Sequence, residues 1–139
     1  MSIIRTIIAV AALAAPTAAA AQAYSLGEAE YVNSCAQCHG LSGEGDGVIA
    51  GFLDTPLPDL GMLTQENDGV FPVSRIYAII DGSAASGIHG TSEMPAWGMR
   101  YMAQAPERLG EYARPGDAEA LVRARILALV EYIAEMQAN

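Results

Sequence analysis

The chain has 139 residues, enough for one domain. Its seven basic side chains stand against 16 acidic ones, for a formal charge of −9, and none of the seven is a lysine. That balance excludes nucleic acid and anionic lipid as partners, and two cysteines are too few for a disulfide-stapled scaffold.

Residues 1–23 read as a secretory signal peptide. Met1 to Arg5 forms a short n-region with one positive charge, Thr6 to Ala15 is apolar, and Ala21-Gln22-Ala23 offers an A-x-A cleavage site. The apolar stretch is short for a bilayer span. The competing reading, an uncleaved anchor, would call for a longer stop-transfer pattern. Cleavage leaves a domain of residues 24–139, starting at Tyr24 and one unit more acidic without Arg5. No later apolar run approaches bilayer length.

Ser25-Leu26-Gly27-Glu28 is a capping box, so a helix is expected from Ser25. Gly27, Tyr31 and Cys35 stand four apart and share one face of it. The helix leads into Cys35-Ala36-Gln37-Cys38-His39, and Gly40 stops it. A C-x-x-C followed at once by His is a c-type haem attachment pattern. Two thiols three residues apart can each add across one vinyl group of the haem. The adjacent His39 then faces the iron as proximal ligand, and its other ring nitrogen needs an acceptor. Three other readings compete. A thioredoxin-like dithiol would need a βαβ setting, zinc would need further ligands beyond His89, and a plain disulfide suits an oxidising compartment.

Leu41 to Gly51 is a loop with glycines at 43, 45, 47 and 51. Glu44 and Asp46 argue against phosphate, and backbone wrapped around a flat cofactor edge is the expectation. Thr55-Pro56-Leu57-Pro58-Asp59-Leu60 is extended. Pro58 lies about where a carbonyl acceptor for His39 would. A second helix is expected from Pro72, with Val73, Ile76, Tyr77 and Ile80 in helical register and Gly82 as its stop.

In Met94-Pro95-Ala96-Trp97-Gly98 the proline biases Met94 toward extended backbone, outside any helix core. A loop methionine of this kind can reach iron, and a thioether favours the ferrous state. Residue chemistry by itself leaves the sixth ligand open among Met94, Met62, Met99, Met102, Met136 and His89. The last helix is expected from Asp117 as N-cap. Val122, Ile126, Leu129, Val130 and Ile133 form its apolar stripe, with Arg123, Arg125, Glu131 and Glu135 away from the centre. No hairpin signal or internal repeat occurs, so the chain is read as all-α.

Taken together, the haem pentapeptide and Met94-Pro95-Ala96-Trp97-Gly98 resemble a small bacterial class I c-type cytochrome over essentially the whole of residues 24–139. Gly27 and Tyr31 match the family's positions before the first cysteine, and Leu129 and Tyr132 the terminal-helix pair against which they pack. The resemblance implies helices and loops wrapped around one covalently attached haem c. Cys35 and Cys38 would be its anchors, and His39 and Met94 the axial iron ligands. It also implies a Pro58 carbonyl facing His39, with Arg75 and Trp97 near the haem propionates. With both axial positions filled, the expected role is single-electron transfer in the periplasm rather than enzymatic catalysis. The donor and acceptor would be redox proteins with basic or apolar docking surfaces. Two alternatives are a dedicated relay subunit of a larger oxidase or dehydrogenase, and a haem catalyst or gas sensor with a labile sixth ligand. Met99 to Gly116 is longer than a minimal member of the family requires, and a short extra helix is the expectation there.

Overall fold

The computed structural model describes residues 24–84 and 94–138. The signal peptide read in residues 1–23 and the alternative ligand His89 lie outside the described residues. Five α-helices and three short 3-10 turns occur among the described residues, with no strand. No helix among them is long and apolar enough to cross a membrane.

Helix α1 spans Leu26–Ser34, and the Ser25 hydroxyl accepts the Glu28 N–H at 3.0 Å, as an N-cap should. It does not run unbroken through the motif. Cys35 (φ −115°) separates α1 from the single turn α2, Ala36–His39, and so re-aims the motif relative to α1. Gly40, at φ +79°, ends that turn.

Helix α5, Asp117–Glu135, is the spine of the molecule. All five residues of its expected stripe are buried. Its N-cap is Gly116, however, and not Asp117. The Asp117 carboxylate accepts the Arg114 N–H at 2.7 Å and closes the preceding turn instead. Arg125 also departs from expectation, being buried among the apolar side chains. A partner on another helix makes this tolerable: Glu30 on α1 holds it at 2.7 Å.

The α1–α5 crossing is set by a glycine. A Cβ at Gly27 would run into the Ala128 carbonyl and lie 2.8 Å from Tyr132 Cβ. Without one, Tyr31 tilts against Tyr132 with ring centroids 5.3 Å apart, and Leu129 is fully buried. The Tyr31 hydroxyl donates to the Gly40 carbonyl at 2.8 Å, tying α1 to the far end of the motif.

Helix α3 spans Val73–Asp81, with Pro72 at its N-cap and left-handed Gly82 at its stop. Ile76 and Ile80 are buried and Val73 is exposed. Helix α4, Trp97–Leu109, starts earlier and runs further than the sequence suggests. Trp97-Gly98 reads locally as a turn, but Gly98 here is buried against the Asp81 backbone, which leaves no room for a side chain. The α4 residues Tyr101 and Ala105 are buried, so most of Met99–Gly116 is an ordinary packed helix. After α5, the Gln137 side chain accepts the Thr64 N–H at 2.9 Å and donates to the Leu60 carbonyl at 2.7 Å. The chain end thereby clamps the 3-10 turn Leu60–Met62.

Candidate cofactor site

Helices α1, α2, α3 and α5, the Leu53–Asn67 loop and the segment ahead of α4 enclose a two-lobed cavity. The larger lobe has a volume of about 440 Å³, within the ordinary range for a ligand site. Cys35, His39, Pro58 and Met94 line both lobes. Cys38 and Trp97 line the smaller and Arg75 the larger. Every site residue read from the sequence therefore meets in one place.

Local structure explains how the motif is presented. A four-residue helix cannot satisfy its own C-terminal carbonyls. The following loop does so: Gly45 N–H donates to the His39 carbonyl at 2.9 Å, Gly47 N–H to Cys38 at 3.1 Å, and Ile49 N–H to Gln37 at 3.1 Å. A side chain at Gly47 would collide with the Gln37 carbonyl and the Cys38 backbone. The glycine-rich loop thus wraps the polypeptide of the motif. It does not wrap a cofactor edge, as the composition had suggested, and none of residues 41–51 lines the cavity.

Met94 lies just ahead of α4, outside any helix, as its proline requires. Its methionine rivals are elsewhere. Met99 and Met102 project from α4 and are exposed, Met62 ends a 3-10 turn, and Met136 follows α5. Among the described methionines, Met94 lines the cavity.

The remaining wall is mostly apolar. Leu57, Leu60 and Leu63 come from the loop, Ile76 and Ile80 from α3, and Ile133 from α5. The helical period of Ile76 and Ile80 was legible, but not which cavity they would face. Ser34 and Leu53 also line the site, and nothing in the sequence pointed to them. Among the described residues, the Asp, Glu and Arg side chains on the wall are Arg75 and Glu66, both exposed at its edge.

The thiols are not activated. Burial pushes Cys35 up to about 12, helped by the neighbouring Cys38 and Glu30 charges, and burial also raises Cys38. A dithiol redox centre needs the opposite shift. Nor are the two sulfurs joined to each other. Among the described residues no three His, Cys, Asp or Glu side chains form a cluster able to hold a metal ion, as a zinc site would require.

A family model described as Cytochrome c matches residues 24–137. No curated protein and no solved structure matches the chain significantly. The cavity suits the family's group: two thiols, an imidazole and a thioether converge in an apolar enclosure large enough for a flat ligand. A polar edge at Arg75 provides for charged substituents. An all-helical architecture with α1 crossing α5 beside this enclosure, and a family match running from Tyr24 to Gln137, make the chain a member of the cytochrome c family, of class I, whose cofactor is a covalently attached haem c.

Proposed function

We propose that the chain is a periplasmic single-electron carrier with one haem c, exported by the leader read in residues 1–23. When bound, the haem supplies an iron centre that cycles between ferric and ferrous. Cys35 and Cys38 would anchor it through thioether bonds, and the His39 imidazole and the Met94 thioether would hold its iron. The Pro58 carbonyl would accept the His39 ring N–H and so fix its tautomer. Arg75 and Trp97, both on the cavity wall, would neighbour its propionates. With His39 and Met94 both engaged, no substrate would have a place on the metal, which favours a carrier of electrons over a catalyst. The observation that carries this reading is the meeting of His39 and Met94, from distant parts of the chain, with both cysteines at one cavity.

The surface supports a partner that is basic, apolar, or both. The loop that caps the motif exposes Leu41, Val48 and Phe52, and acids outnumber bases across the chain. If the acids steer docking, association slows as salt rises. Rates that stay flat across ionic strength indicate apolar docking.

The deciding experiment is the visible spectrum of the ferric protein, in which thioether ligation gives a charge-transfer band in the far red. Met94→Ala is expected to abolish that band, lower the potential and admit carbon monoxide to the reduced form. A wild-type protein without the band, or one that binds carbon monoxide readily, would refute the carrier in favour of an open-site catalyst or sensor. Co-purification with a larger oxidase or dehydrogenase would make it a dedicated relay subunit instead of a free shuttle.

A further inference from the structure

A buried ion pair stands behind the cavity wall. Glu30 on α1 and Arg125 on α5 are 5% and 3% exposed. Arg125 Nε and Nη2 donate to the two Glu30 carboxylate oxygens at 2.7 Å each, and Nη1 donates to Gln104 Oε1 at 3.0 Å. The guanidinium lies over the Tyr101 ring, 3.5 Å from its centroid. Tyr101 in turn donates its hydroxyl to Ser34 Oγ at 3.1 Å, and Ser34 lines the cavity beside Cys35. The same ring sits 5.7 Å from that of Trp97, another wall residue. One aromatic side chain therefore separates a buried charge from the cofactor site by two routes.

Such a pair is a weak device for stability, because desolvating both ions offsets most of their attraction. Its electrostatic consequence is larger. A buried charge is poorly screened, and a haem iron held in the cavity would change its own charge by one unit on reduction. An uncompensated guanidinium here would favour the reduced state. Glu30, in contact with it, cancels that field.

We propose that Glu30 is a potential-setting residue: by neutralising Arg125 behind Tyr101 and Ser34, it keeps a buried positive charge from stabilising ferrous haem. This rests on the reading of the cavity as the haem site. The clean perturbation is Glu30→Gln, because a guanidinium cannot shed its proton and its charge remains when its partner is neutralised. Redox titration of the haem-loaded protein is expected to show a higher midpoint potential, the reduced-to-oxidised ratio at fixed ambient potential rising several-fold. Glu30→Asp keeps the charge and is expected to stay close to the wild type. The double variant E30Q/R125M removes both charges and is expected to return toward the wild-type potential, although it loses every hydrogen bond of the pair. A merely structural clamp would give no such return. Where Glu30→Gln does not accumulate, Glu30→Met leaves the same unbalanced charge and serves in its place.

An unchanged midpoint in haem-loaded E30Q or E30M would overturn the proposal, as would a double variant that stays with the single one. Haem content is measured first by pyridine haemochrome. A wild-type protein without covalent haem would sink the reading of the cavity, whereas a loaded protein with an unmoved potential sinks only the role of Glu30.

Discussion

Gly27→Ala sets two known effects against each other at the helix crossing that positions the haem motif. Alanine inside a helix is worth up to about 1 kcal/mol over glycine, and less at Gly27, which is only the second residue of α1. Against this, the new Cβ meets the Ala128 carbonyl and, at 2.8 Å, Tyr132 Cβ. Neither is the far end of a flexible side chain, so neither can swing aside. The helices must separate, and overpacking of this kind costs about 1–3 kcal/mol. The clash should win, with a net loss of about 1–2 kcal/mol. For a domain of this size that lowers the melting temperature by roughly 4–10 °C. Far-UV circular dichroism of the ferric holoprotein during a reversible melt measures it. A Gly27→Ala protein as stable as the wild type, or more so, would show that the α1–α5 contact has slack and that Gly27 is not what sets it.

Four further outcomes are expected. Leu129→Ala, at a fully buried position of α5, should cost about 2–5 kcal/mol in denaturant titrations; a loss under 1 kcal/mol would mean the site collapses freely. Burial raises Tyr31 and Tyr132 above the ordinary tyrosine value and pushes Tyr101 up to about 12. Raised folded-state values stabilise the fold below about pH 10, where unfolded tyrosines keep their protons. That stability is lost as pH rises from about 10 through 12, because the unfolded chain then releases protons first. Ultraviolet tyrosinate titration should show these residues ionising last, and early ionisation of all six tyrosines would contradict the burial. Gln137→Ala removes the clamp on Leu60 and Thr64; faster amide exchange at Thr64 is expected, with a loss of about 1–2 kcal/mol. Finally, replacing Cys35 and Cys38 together by serine should abolish covalent haem and leave the chain largely unfolded, since the haem fills much of a modest core. Full native helix in that haem-free protein would disprove the dependence.

Much of the site was legible in the linear chain. The pentapeptide Cys35–His39 carries its chemistry in its spacing, and Pro95 keeps Met94 out of a helix wherever the chain goes. The α5 stripe was legible for the same reason: apolar period and burial are local consequences of helix geometry. Harder to read were features that depend on a partner distant in sequence. Trp97-Gly98 looked like a turn because the Asp81 backbone that packs against Gly98 belongs to α3. The loop glycines suggested a cofactor edge because the carbonyls they cap become unsatisfied only when α2 ends after one turn.

Residue type and spacing thus determined much of what was readable: which two sulfurs and which imidazole stand together in one motif, and an all-helical chain to carry them, while the choice among the methionines stayed open until the fold brought Met94 to the cavity. Tertiary structure alone decided where the charge lies. By periodicity Arg125 belonged near the surface of α5, yet it is buried, because a carboxylate 95 residues earlier in the chain arrives opposite it when α1 crosses α5. Periodicity reports the surroundings of one helix, whereas the cost of burying an ion depends on a counter-ion that only the folded chain brings into contact.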